Sequence, residues 1–131
     1  MDNTLNFLGL CKRAGSLVTG EDGALGAVRS GEAKLLLLAS DAAQNTSGKA
    51  AHYAELCSVC LVRLPYDKDS LGELLARRVC AVMAITDNNF AKSFLEKLTA
   101  AYPAYQSSLD ELTERLKPRK ERRKKLQKQG E

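Results

Sequence analysis

The 131-residue sequence contains no tryptophan, a single histidine and no long apolar segment. A membrane-spanning helix needs an apolar stretch of about 18 residues, and no stretch approaches that length. The first residues, MDNTLNFLGL, also lack the basic lead and apolar run typical of an export signal. We therefore expect a cytoplasmic protein that does not contact a membrane.

Common catalytic signatures are missing as well. His52 lies within a helical pattern, without a companion residue in the sequence that would complete a triad. The sequence has no phosphate-binding GxxxxGK[ST] loop, no HExxH zinc motif and no GxSxG nucleophile motif. We therefore predict no enzymatic activity, no catalytic residue and no cofactor.

Cysteine is scarce and poorly spaced for a metal site. Cys57 and Cys60 could form half of a zinc site, but Cys11 and Cys80 stand alone in the sequence, and a structural zinc usually needs four ligands. Without an export signal we expect free thiols, and such residues are usually small buried hydrophobes. We predict no metal site, while a thiol or metal function of Cys57 and Cys60 is a rival hypothesis.

Net positive charge is confined to the end of the chain. Residues 1–114 hold 11 Lys or Arg and 14 Asp or Glu, net −3, whereas residues 115–131 hold nine against two, net +7. Because the final segment is nearly free of apolar residues, we predict a basic, disordered tail over 117–131. It is either a solubilising end or a grip on nucleic-acid phosphates. Six residues are the candidate phosphate contacts: Arg119, Lys120, Arg122, Arg123, Lys124 and Lys125.

Hydrophobic patterns alternate between helix and strand in the rest of the chain. Helical spacing predicts helices over residues 3–14, 21–30, 45–56, 70–76, 89–101 and 107–116. Extended or continuously apolar runs predict strands at 16–19, 34–39, 59–64 and 79–85. This alternation predicts a three-layer α/β/α sandwich with a four-stranded, mostly parallel or mixed sheet. We assign residues 1–101 to that domain and residues 102–116 to a short helical extension.

The second predicted helix, within TGEDGALGAVRSG, contains an unusual number of glycines. Gly20, Gly23 and Gly26 recur every three residues, although an interior glycine costs about 1 kcal/mol relative to alanine. One explanation is that the free N–H groups at the helix start bind an RNA backbone, which glycine allows to come close. The other is that a neighbouring element packs against the bare backbone.

Three segments, taken together, are similar to a known family: LGLCKRAGSLVTGEDGALGAVRSGEAKLLLLASDAAQNT, VRLPYDKDSLGELL and VCAVMAITDNNFAKSF. They resemble the YlxQ-like bacterial members of the kink-turn RNA-binding ribosomal protein superfamily, which includes the L-seven-Ae and L-thirty-e proteins. The resemblance covers residues 5 to about 98 and excludes the tail. It implies an α/β/α sandwich that binds RNA.

The resemblance also implies where RNA is bound. The start of the second helix, the loop before the Leu-Gly pair of the fourth helix, and the loop after that helix would form the contact. The implied contact residues are Gly20, Glu21, Asp22, Gly23, Gly26, Lys68, Arg77, Arg78 and Val79. For the two arginines, a solvated position near a helix C-terminus is the alternative explanation.

The start of the second helix departs from the family pattern. Typical kink-turn binders carry G-x-N-E-x-x-K there, and Asp22, Gly23 and Gly26 stand at the Asn, Glu and Lys positions. We therefore expect a monomer that binds ribosomal or other structured RNA with weak kink-turn preference, and ribosomal proteins are further candidate partners. The alternative is a protein-binding adaptor that has kept the fold but lost kink-turn specificity.

Overall fold

The computed structural model describes residues 3–77 and 79–117, and the predicted helices and strands are found there with ends that differ by a few residues. In chain order they are α1 (Asn3–Arg13), β1 (Leu17–Thr19), α2 (Glu21–Ser30), β2 (Leu35–Leu38), α3 (Gln44–Cys57), β3 (Cys60–Arg63), α4 (Lys68–Leu74), β4 (Val82–Ile85), α5 (Asn88–Ala101), a 3₁₀ turn (Pro103–Tyr105) and α6 (Gln106–Leu116). Among these helices, none combines the length and apolarity that a bilayer crossing demands.

The four strands form one mixed sheet in the order β1-β4-β2-β3. Strands β2 and β3 are parallel, whereas β4 runs antiparallel to both β1 and β2. The connection through α4 explains the reversal, because the Cys80 amide donates to the Lys68 carbonyl oxygen over 2.9 Å and closes this connection on itself. Strand β4 therefore begins at the end of the sheet where β3 finishes. Of the two predicted arrangements, the mixed one is confirmed.

The two faces of the sheet carry separate apolar clusters. Leu35 and Leu37 of β2 pack in a cluster with α1, α4, α5 and α6, whereas Leu36 and Leu38 pack with α2 and α3. All four side chains are at most 2% exposed. The alternation follows from the two-residue period of a strand, and it confirms the three-layer sandwich.

Helix ends follow local signals. The Asp67 carboxylate accepts from the Ser70 amide over 2.7 Å, which begins α4 two residues before its predicted start. Beyond the end of the helix, Ala76 adopts a left-handed φ of 58°, so α4 stops before the predicted residue 76. Gly31, with φ 84°, terminates α2 where the sequence predicts.

Helix α6 packs against the domain instead of projecting from it. Leu112 is fully buried in the cluster that contains α5. The Tyr105 hydroxyl donates to the carbonyl oxygen of Arg63, where β3 ends, over 2.6 Å. The Arg115 guanidinium donates to the carbonyl oxygen of Ser58, which precedes the start of β3, also over 2.6 Å. Helix α6 therefore runs along the β3 side of the sheet towards the start of that strand.

Candidate nucleic-acid interface

The predicted contact residues converge on one end of the sheet, which we call the site end. At this end β1, β2 and β3 finish and β4 begins, since Val82 pairs with Leu38, and Leu38 pairs with Arg63. The Gly20 amide donates to the Val82 carbonyl oxygen over 2.9 Å, so the start of α2 lies against the start of β4. The start of α4 reaches the same place through the hydrogen bond between Cys80 and Lys68.

Arg77 lies directly over the backbone of Gly20. A Cβ atom added to Gly20 would be 3.2 Å from Arg77 Nη2, and Gly20 has a φ of 92°. The backbone conformation therefore favours glycine here, whereas an added side chain would displace the end of the flexible Arg77 side chain only slightly. Arg77 Nη1 donates to Thr19 Oγ1 over 3.0 Å, which orients the guanidinium across the first turn of α2.

The first turn of α2 carries two carboxylates in different surroundings. Glu21 accepts from Thr46 Oγ1 over 2.9 Å and from Lys49 Nζ over 3.4 Å, both on α3. These hydrogen bonds hold the pKa of the Glu21 carboxyl below its usual value. Asp22 is exposed on the helix. The charge of Glu21 is therefore partly balanced by Lys49, which leaves Asp22 as the exposed acidic group of this turn.

Gly23 and Gly26 differ in what surrounds them. A Cβ atom on Gly23 would be 2.9 Å from Val18 Cγ1 of β1, whereas one on Gly26 would meet nothing within 4 Å. Close packing of β1 against α2 therefore explains why residue 23 is glycine. Neither close packing nor an unusual φ accounts for Gly26.

Lys68 and Val79 complete the described part of the site end. Lys68 is half-buried at the start of α4, and its backbone amide donates to Asp41 Oδ1 over 2.8 Å. Val79 is 47% exposed in the segment that leads to β4. Seven predicted contacts lie outside the described residues: Arg78, Arg119, Lys120, Arg122, Arg123, Lys124 and Lys125.

Sequence reasoning overlooked two cations that support this end of the molecule. Lys12 Nζ donates to the Leu75 carbonyl oxygen after α4. Arg63 donates through Nη1 to the Ser40 carbonyl oxygen over 3.2 Å and through Nη2 to Ser47 Oγ over 2.9 Å. Lys12 lies within the first of the three segments that resemble the family, whereas no motif in the sequence marks Arg63.

The cysteines are placed mainly as core residues. Burial raises the pKa of Cys60 to about 12 and that of Cys11 to about 11, so both thiols are protonated near neutral pH. Cys57 is half-buried at the end of α3. Within residues 3–77 and 79–117, no group of three or more His, Cys, Asp or Glu side chains is arranged to hold a metal ion.

Comparison with known proteins gives a consistent family. The family model described as Ribosomal protein L7Ae/L30e/S12e/Gadd45 matches residues 2–95. A Bacillus subtilis protein named RNA-binding protein YlxQ is 35% identical over 96 residues, which cover 70% of this chain and 91% of that protein. A protein of the same name from Enterococcus faecium is 32% identical over 92 residues, covering 70% of this chain and 87% of the relative.

Solved structures show the same fold. A Bacillus halodurans protein, described as having unknown function, superposes with a TM-score of 0.68 at 26% identity, covering 75% of this chain and 98% of that one. The Giardia lamblia 15.5kD RNA binding protein superposes with a TM-score of 0.58 at 22% identity, covering 73% and 84%.

Proposed function

Because the chain belongs to the ribosomal protein L7Ae/L30e/S12e/Gadd45 family, we propose that it is a non-catalytic RNA-binding protein that uses the site end of its sheet. The names of its two bacterial relatives support RNA as the ligand and do not favour a protein-binding adaptor. The proposed RNA is ribosomal or otherwise structured. We also propose a cytoplasmic monomer, with ribosomal proteins as its neighbours on the RNA.

The observation that carries this proposal is the Arg77 guanidinium over Gly20. A helix N-terminus presents free N–H groups and a partial positive charge, and Gly20 has no side chain to cover them. A guanidinium at that position adds donors with the geometry that phosphate oxygens prefer. The arrangement suits an RNA phosphate that bridges the α2 amides and Arg77.

The remaining predicted contacts extend this phosphate site. Lys68 supplies a second cation at the site end, and Val79 supplies an exposed apolar side chain two residues after Arg77. Arg78 and the six basic tail residues are proposed to add phosphate contacts without sequence preference. Because Asp22, Gly23 and Gly26 replace the usual base-reading side chains, kink-turn preference is proposed to be weak.

The decisive experiment compares Arg77→Ala with Arg29→Ala. Arg29 is an exposed arginine in the last turn of the same helix, α2, so its replacement removes the same charge away from the site end. We expect Arg77→Ala to weaken binding to a folded RNA hairpin about tenfold. The slope of log affinity against log salt should become shallower by the amount that about one phosphate contact contributes. Anisotropy titrations of labelled hairpin at several salt concentrations measure both quantities. Equal effects of the two variants would contradict the proposed interface.

A further inference from the structure

We propose that Tyr102, between α5 and α6, is a stacking platform for an unpaired RNA base next to the phosphate site. This inference rests on the proposed function and adds a ligand group to it. Tyr102 is 37% exposed and is one of four large apolar side chains exposed to this degree within residues 3–77 and 79–117. It follows the last residue of α5 and precedes the 3₁₀ turn.

Two other tyrosines hold this ring in position. Tyr66 lies 6.4 Å from Tyr102 between ring centroids, at an interplanar angle of 78°, and Tyr105 lies 6.3 Å away at 83°. Both contacts are edge-to-face, so neither ring stacks in parallel on the face of Tyr102. The exposed part of the Tyr102 ring is therefore free to stack with a nucleic-acid base.

The tyrosines have separate roles. The Tyr105 hydroxyl donates to the Arg63 carbonyl oxygen, and its ring packs against the core cluster of α5 and α6. Tyr66 is buried, and its carbonyl oxygen accepts from the Ser40 amide over 2.8 Å. Both therefore hold residues 102–105, the segment between α5 and α6, against the sheet. Tyr102 is the member of the cluster that keeps a large exposed fraction.

The tyrosine cluster lies at the site end of the sheet. Tyr66 follows β3 and comes two residues before Lys68, whose amide is bonded to Asp41 in the loop after β2. Since β1 and β3 are three strand spacings apart, the strand ends that lead to Gly20 and to Tyr66 are about 14 Å apart across the sheet. This spacing is short enough for one RNA segment to reach both positions.

The charge beside the tyrosine cluster comes from Lys68, which lies two residues after Tyr66 at the start of α4. The Arg63 guanidinium does not contribute, because it donates to Ser47 of α3 on the opposite face of the sheet. The nearby Asp67 carboxylate accepts from the Ser70 amide. Lys68 therefore provides the cation for a phosphate that flanks a base on Tyr102, which favours a nucleotide over an uncharged aromatic ligand.

The platform belongs to a part of the chain beyond the family match, which ends at residue 95. Helix α6 fixes it there through buried Leu112. The extension therefore has a proposed role in ligand contact as well as in packing.

Fluorescence offers a direct test because the sequence contains no tryptophan. Tyr102→Trp places the sole indole on the platform, and Leu56→Trp places it on α3 at a residue that is 68% exposed. The probes are an RNA hairpin with a short single-stranded adenosine overhang and the same hairpin with a blunt end. We expect the overhang hairpin to quench the fluorescence of the Tyr102→Trp variant strongly and to change that of the Leu56→Trp variant little.

Affinity provides the second measurement in the full chain. Tyr102→Ala should bind the overhang hairpin about tenfold more weakly and leave the blunt hairpin unchanged, while Tyr102→Phe should bind both like the natural protein. Hairpin anisotropy reports binding independently of the indole. If both hairpins bind equally to all proteins and the Tyr102→Trp variant is not quenched, the platform is wrong and the proposed function stands. If the natural protein binds neither hairpin, both proposals fail.

Discussion

Replacing Gly26 by alanine should stabilise the protein, whereas the same change at Gly23 should leave its stability unchanged or lower it. Both glycines lie within α2, so each replacement removes the conformational freedom that glycine gives the unfolded chain. The folded surroundings differ: a new Cβ atom meets nothing within 4 Å at Gly26 but is 2.9 Å from Val18 Cγ1 at Gly23.

The expected magnitudes follow from these distances. At Gly26 the full helix-propensity gain of about 1 kcal/mol should appear as stability. At Gly23 the same gain is offset by the displacement of Val18, a β-branched side chain with restricted χ1 rotation, or of the first turn of α2, at a cost of about 1–3 kcal/mol. The two variants should therefore differ by about 1–3 kcal/mol in free energy of unfolding.

Urea unfolding followed by circular dichroism measures this difference. The slope of free energy against urea should be the same for both variants, so the midpoints alone report stability. If Gly23→Ala were as stable as Gly26→Ala, Val18 would have moved without cost, and close packing would not be the reason for Gly23.

Two further predictions concern RNA. Deleting residues 117–131 should weaken binding to arbitrary RNA and flatten the plot of log affinity against log salt by several units, at about 0.7 per phosphate on single strands; an unchanged slope would exclude the tail as the grip. Combining Asp22→Asn with Gly26→Lys, while keeping Gly23, should raise affinity for a kink-turn duplex over an unkinked one by at least about fivefold. Titration of both duplexes with both proteins measures this, and strong kink-turn preference in the natural protein would show that the backbone suffices.

Much of the fold could be predicted because its signals are local. The continuous apolar run of β2 and the Gly31 stop of α2 each act within a few residues, and both appear as predicted. The direction of β4 depends instead on the hydrogen bond between Cys80 and Lys68, which closes the loop around α4 and does not follow the period of any helix or strand. Periodicity contains no information about such a contact.

In the candidate site, too, single residues could be predicted from the sequence but their contacts could not. The sequence singled out Gly20 and Arg77, but their contact across the start of α2 depends on the order of strands β1 and β4. The different surroundings of Gly23 and Gly26 were equally hidden, because both have the same spacing along the helix. No sequence motif marks Tyr102, because its exposure depends on how the segment after α5 packs against the rest of the domain.

The anchoring of Arg115 at Ser58 determines where the basic tail is attached. Strand β3 is four residues long, so its start lies about 13 Å from the site end, and Lys117 follows the anchored turn directly. Lys117 itself therefore lies towards the end of the sheet opposite to Gly20. In the proposed function the basic residues after Lys117 are a second RNA contact, and the length of chain between them and the folded domain sets their effective concentration near bound RNA. Inserting glycine and serine after Lys117 would change the overall affinity for RNA without altering a contact in the folded domain.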